Sequence, residues 1–194
     1  MRVAHCSDLH VLALDGVGIA RYLNKRLTGA VNLALRRAPL DELSGAWRAA
    51  ASRVPPGLRK KDFHRTGYVR RVAREIARSR IDHVVVTGDV TNLALEAEFV
   101  AARTILEGEL HLGPRDISLV PGNHDLYTRG ALRDRRFTQF FADYTRSDLD
   151  VGVDVGPGHF PYVKLRGPVA IVGLSSALPK PAFIASGEIG HHQL

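Results

Sequence analysis

Val120-Pro121-Gly122-Asn123-His124-Asp125 follows a short apolar run, Ile117 to Val120. The run reads as a buried strand, which puts Gly122 to Asp125 in the loop at its exit. An amide, an imidazole and a carboxylate in succession are costly to hold unless a metal, a substrate or one another satisfies them. Two earlier stretches share the pattern: Val3-Ala4-His5-Cys6-Ser7-Asp8-Leu9-His10 and His83-Val84-Val85-Val86-Thr87-Gly88-Asp89. Each passes from an apolar strand into residue types that ligate metals. In open α/β sheets, sites form outside the carboxyl ends of the strands. Three such exits therefore imply one shared metal centre. Asp8 and His10 flank Leu9, and an extended exit sends both side chains to the same side. Aspartate, histidine and asparagine together suit Mn²⁺, Fe²⁺, Zn²⁺ or Co²⁺.

Working outward, strand one is expected over residues 2–7 and a loop with two glycines over 11–18. Apolar residues recur at helical steps from Ile19 to Arg37, and a further helix is expected from Asp41 to Ala51, stopped by Pro55-Pro56-Gly57. A helix over Thr66–Arg80 leads into strand two at 82–87, and another over Leu93–Glu107 leads into strand three at 116–120. Ala131 to Tyr144 has helical aromatic spacing, and 160–165 with 168–174 form a strand pair around Arg166-Gly167-Pro168. This alternation is α/β.

The 194 residues are enough for one domain with a core. A single cysteine, Cys6, rules out an internal disulfide and a thiolate zinc cluster. No apolar run approaches the roughly 20 residues that span a bilayer, and Met1-Arg2 leads straight into strand one. The expectation is a cytoplasmic protein. The net charge of +7 is concentrated in residues 21–65, which hold eleven Lys or Arg against three acids.

Taken together, Ser7-Asp8-Leu9-His10, Thr87-Gly88-Asp89 and Gly122-Asn123-His124-Asp125 resemble the calcineurin-like metallophosphoesterase superfamily. The resemblance implies a metallo-dependent phosphatase-like sandwich of two mixed β-sheets flanked by helices. It implies that Asp8 and His10 bind a first metal, that Asp89 bridges two, and that Asn123 binds the second. His124 would protonate the leaving oxygen or donate to phosphoryl oxygens, with Asp125 supporting the loop behind. Two divalent ions roughly 3.5–4 Å apart would clamp a phosphate and activate a bridging water. The family's aspartate that orients this histidine is Asn92 here, whose side-chain amide would accept the imidazole proton and leave His124 less basic. The family's later lone histidine and Gly-His-x-His block have no counterpart. His159, His191 and His192 are poor substitutes, the first in a turn before a strand and the others on an exposed helix. The chain, 1–194, is thus similar to the N-terminal two-thirds of a longer domain.

Asp8 and Asp89 are 81 residues apart, against 34 from Asp89 to Asn123. A basic helical insertion over 15–62 accounts for the excess, with Trp47 anchoring it. It is read as a solvated cap, as a lid attracting an anionic substrate, or as a surface for an anionic membrane through Lys25, Arg26, Arg36 and Arg37. His5 and Cys6 read as core residues, His64 and His83 as surface or strand-start residues, and Glu96 and Glu98 as a solvated helix face. The function expected is hydrolysis of a phosphodiester, pyrophosphate or phosphomonoester in a phosphorylated small molecule, nucleotide or lipid precursor. The alternatives are a metal-poor remnant acting as a binding or regulatory module, and a nuclease, which lacks the aromatic–basic interleaving of nucleic-acid binders. The oligomeric state is not legible.

Overall fold

A computed structural model describes residues 1–13, 58–126, 129–179 and 186–194, with the side chains of 58–65 and 129 left aside. Its first three strands are β1 (Val3–Cys6), β2 (His83–Thr87) and β3 (Ile117–Val120). They form a parallel sheet in the order β1-β2-β3, with Ala4 opposite Val84 and Val86 opposite Leu119. Central β2 is buried on both faces, as its unbroken Val84-Val85-Val86 run requires of a parallel strand. Helix α1 (Leu58–Arg78) precedes β2, and α2 (Glu96–Glu109) joins β2 to β3. Phe99, Ala102, Ile105 and Leu106 of α2 are buried in the same core as Val84, Val86, Ile117 and Leu119. The α1–α2 pair is clamped by Glu109, whose carboxylate accepts from Arg70 at 3.0 Å and Arg74 at 2.7 Å.

The α/β expectation holds, with parallel and antiparallel sheets flanked by helices. Several boundaries move. Helix α2 begins at Glu96 rather than Leu93 because Glu98 is not on a solvated face. Fully buried, it reaches back to accept from the main-chain N–H groups of Leu93 and Leu95, capping its own helix. Glu96 is exposed as expected and lies 3.7 Å from Arg136. The helix expected over Ala131–Tyr144 divides into α3 (Arg129–Arg133), α4 (Arg136–Phe141) and a 3₁₀ turn at Ala142–Tyr144. The break falls at Arg135, in left-handed backbone at φ 49°, whose guanidinium donates to the Val155 carbonyl. Phe137, Phe141 and Tyr144 from this segment pack edge-to-face in sequence, and Phe140 stacks on Phe99 of α2.

Two antiparallel pairs follow. β4 (Val153–Val155) and β5 (Gly158–Phe160) form a small hairpin around Pro157. His159 therefore lies within β5 rather than in a turn, exposed and 3.8 Å from Asp154 across the hairpin. β6 (Tyr162–Arg166) and β7 (Val169–Gly173) form the expected second pair. The Tyr162 hydroxyl, buried, donates to the Leu119 carbonyl and ties this hairpin to β3. His83 starts a strand but is not on the surface; it is fully buried, with its ring nitrogen 2.9 Å from Ser118 Oγ. His5 is exposed rather than core, bonded to Thr87 Oγ1 at 2.7 Å, because β1 is an edge strand with one face left uncovered by the described residues. Cys6 is half-buried.

Most of the 15–62 insertion, with Trp47, Lys25, Arg26, Arg36 and Arg37, lies outside the described residues; its last residues, 58–62, are the first turns of α1. The side chain of His64 is likewise outside them. Among the described residues no helix is long and apolar enough to cross a membrane.

Candidate metal centre

The exits of β1 and β2 do not separate into independent loops. Asp8 N–H donates to the Gly88 carbonyl, His10 N–H to that of Asp89 at 2.8 Å, and Val11 N–H to that of Val90. An isolated parallel bridge between Val11 and Thr91 continues the pairing beyond the strands. Along this double strand Asp8, His10 and Asp89 take φ values of 55°, 44° and 51°, so the exit is left-handed rather than extended. Such backbone costs of order 1 kcal/mol or more per non-glycine residue and persists only where the surroundings over-determine it. Its result is convergence of side chains. His10 Nε2 lies 3.7 Å from Asp8 Oδ1 and 3.9 Å from Asp89 Oδ2.

The third exit presses against the second backbone to backbone. A Cβ on Gly88, at φ 88°, would sit 2.7 Å from the main chain of Gly122. One on Gly122 would sit 2.2 Å from Asp89 Oδ1. Only glycine fits at either position. With the loops this close, Asp89 Oδ1 accepts from the His124 main-chain N–H at 2.9 Å. The His124 ring stands edge-on to His10, centroids 4.6 Å apart. Its Nδ1 lies 2.7 Å from the main-chain carbonyl of Asn92. That carbonyl, not the side-chain amide, is the acceptor that holds the imidazole. The contact therefore does not depend on which side chain stands at 92.

His10, Asp89 and His124 each offer a ligand atom, all within 4.8 Å of one another. A donor set of one carboxylate and two imidazoles fits a borderline divalent ion. Anchoring Nδ1 on a carbonyl fixes the His124 ring and leaves Nε2 available, either to a metal or to carry a proton. Asp8, with 67 % of its side chain exposed, and Asn123 join Asp89 in lining an adjacent cavity of about 290 Å³ that also reaches Thr87 and Ser176.

Asp125 stands apart from this cluster. It is fully buried and accepts from the N–H groups of Val90, Thr91 and Gly122 and from Thr91 Oγ1. Burial outweighs these bonds and pushes its carboxyl up to about 6. It is the bolt between the second and third loops. Buried Thr91 has no sequence signal of its own; it emerges only as Asp125's partner. His191 and His192 are exposed in a short 3₁₀ turn, where the neighbouring Gln193 brackets the main chain of Ser175. Neither joins the cluster.

No curated protein matches the chain. The family model for calcineurin-like phosphoesterases, however, matches residues 1–174, from ahead of Asp8 to the end of β7 and across all three loops just described. The chain belongs to the calcineurin-like phosphoesterase family.

Proposed function

We propose that this site hydrolyses phosphoesters with two divalent ions held by Asp8, His10, Asp89 and Asn123, and with His124 as the proton donor. The observation that carries the reading is the convergence of His10, Asp89 and His124 within 4.8 Å at the ends of parallel strands. Asp89 is suited to bridging because its carboxylate faces both His10 and the Asn123–His124 loop. Bound there, divalent ions supply Lewis acidity and a nucleophilic water at neutral pH. Asn92 O fixes the His124 ring, so that Nε2 can deliver a proton to the departing oxygen. Asp125, Gly88 and Gly122 hold the two loops in contact so that these groups keep their spacing.

A phosphodiester or pyrophosphate is preferred over a monoester, on the strength of the basic stretch at residues 21–65. A phosphorylated small molecule, nucleotide or lipid precursor fits that charge, and the same stretch supports peripheral docking to an anionic membrane from the cytoplasmic side. A second reading, a module that binds without turnover, is favoured by the exposure of Asp8, which leaves one side of the centre open to water.

The test is metal content together with Mn²⁺-dependent hydrolysis of bis-p-nitrophenyl phosphate and p-nitrophenyl phosphate. About two ions per chain with turnover of the diester supports the reading. Metal without turnover favours the binding module, and turnover of the monoester alone overturns the substrate preference. His124→Ala separates acid from ligand: as the acid, it loses about 10²–10⁴-fold in turnover with its metal retained.

A further inference from the structure

A second cleft lies at the opposite end of β3, between the Pro114–Asp116 turn, the chain after Tyr144, and β6. Its volume is about 230 Å³, and Arg115, Arg146, Lys164 and Arg166 line it against Asp143 and Asp148. Both carboxylates are already engaged. Asp143 accepts from Arg103 at 3.1 Å, and Asp148 accepts from Arg166 at 2.9 Å and from the Leu165 N–H at 2.8 Å. Arg166 is further held by the carbonyls of Leu165 and Arg115 and lies 3.5 Å from Asp116.

What remains is positive. Lys164 is 1 % exposed, and its Nζ donates to the carbonyls of Pro114 and Ile117. Both acceptors are neutral, and an ammonium has three donors. Among the described residues no carboxylate pairs with it directly; Asp148 and Asp116 act on it only from farther off, so its charge is incompletely compensated. Burial, with Arg166 nearby, outweighs the pull of Asp148 and Asp116 and brings its pKa down to about 8. Above it, Arg146 is exposed and, among the described residues, has no hydrogen bond or ion pair. Arg115 is 80 % exposed, its nearest carboxylate Asp148 at 3.7 Å. The cleft thus pairs a buried ammonium with the unpaired guanidinium of Arg146 and with that of Arg115, which is exposed and, among the described residues, held only by a 3.7 Å ion pair to Asp148. Guanidiniums match the fork geometry of oxyanions, and a volume of this size takes a tetrahedral oxyanion with accompanying water.

We propose that this cleft is an oxyanion site, separate from the metal centre, that binds a phosphate-sized dianion between Lys164, Arg146 and Arg115. The anion adds counter-charge beside Lys164, whose direct hydrogen-bond acceptors are all neutral.

The test is titration of inorganic phosphate into the 194-residue chain by calorimetry, in the wild type and in Asp89→Asn, Arg146→Glu, Arg115→Glu and Lys164→Met. Asp89→Asn removes binding that depends on the metal centre. The binding component that survives in Asp89→Asn should weaken about tenfold or more in Arg146→Glu, the scale for losing a charged hydrogen bond, and should vanish in Lys164→Met. Should Lys164→Met fail to fold, Arg115→Glu, at an exposed position, must show the same weakening as Arg146→Glu. Phosphate binding that disappears entirely in Asp89→Asn overturns the proposal. So does an Asp89→Asn component indifferent to Arg146 and Arg115.

Discussion

The two ends of the parallel sheet treat charge in opposite ways. At the carboxyl end, Asp8, His10 and Asp89, on left-handed backbone, crowd together with His124, held by main-chain contacts between loops. At the amino end, buried His83 and Lys164 and half-buried Arg166 sit on strands and are partnered by Ser118, main-chain carbonyls and Asp148. The first end leaves side-chain lone pairs facing one another, which costs stability and makes a candidate ligand site. The second uses its polar groups to join β2, β3 and β6, and leaves over only positive charge. Ligand-type side chains and stabilising polar contacts are therefore gathered at opposite ends of the same sheet.

The largest effect should come from Asp89→Asn. Loss of metal affinity of at least about 10²-fold, the upper range for mere outer-shell changes, should accompany loss of turnover, while the melting temperature moves little. Elemental analysis and thermal unfolding check both parts. A large drop in melting temperature would break the contrast, because it would make the carboxyl end a structural element too. Retention of two ions would remove the bridging role.

Gly122→Ala is the next most severe. Its Cβ must displace Asp89, so the loops part and the spacing of His10, Asp89 and His124 is lost. About 10²-fold in turnover is the scale for a displacement near 1 Å, and kinetics of the refolded, metal-loaded variant measure it. Unchanged turnover would show that the loops tolerate separation.

Asp125→Ala should cost about 3 kcal/mol, since it strips the acceptor from three main-chain N–H groups and a buried hydroxyl. Denaturant unfolding of the metal-free protein isolates this from any metal effect. A cost under about 1 kcal/mol would mean that the loop contact does not need its bolt.

The mildest test is of pH. Burial, assisted by Lys164 and Arg166, pushes the His83 imidazole down to about 4 from an ordinary value near 6.5. The folded state then holds fewer protons than the unfolded one between those limits. His83's contribution is fully present above pH 6.5 and is lost as pH falls through 4. Stability should fall with acidification across that window, and His83→Asn should flatten the slope. A slope unchanged in the variant would assign it to other groups, Asp125 being excluded by sign because its raised pKa favours folding on acidification.

The strand exits were legible because apolar runs ending in Asp-Leu-His, Gly-Asp and Gly-Asn-His-Asp carry both the fold pattern and the chemistry. Glu98 was misread because helical spacing alone cannot show that a chain segment ahead of the helix folds back onto it. Arg135 was missed because its left-handed break depends on a carbonyl twenty residues later, at Val155. His83 reads in sequence as a surface or strand-start residue, and it is buried because Ser118 of β3 and the side chain of Lys164 lie close to it.

Residue order alone determined that three short strands would carry oxygen and nitrogen donors to one edge of an α/β sheet, since strand period and strand-exit chemistry are local properties. Tertiary structure alone decided which donors meet: that Asp125 turns inward, that a main-chain carbonyl holds His124, and that a cationic cleft forms at the far end of β3. Those outcomes depend on backbone separations of a few ångströms between segments distant in the chain, which only packing sets.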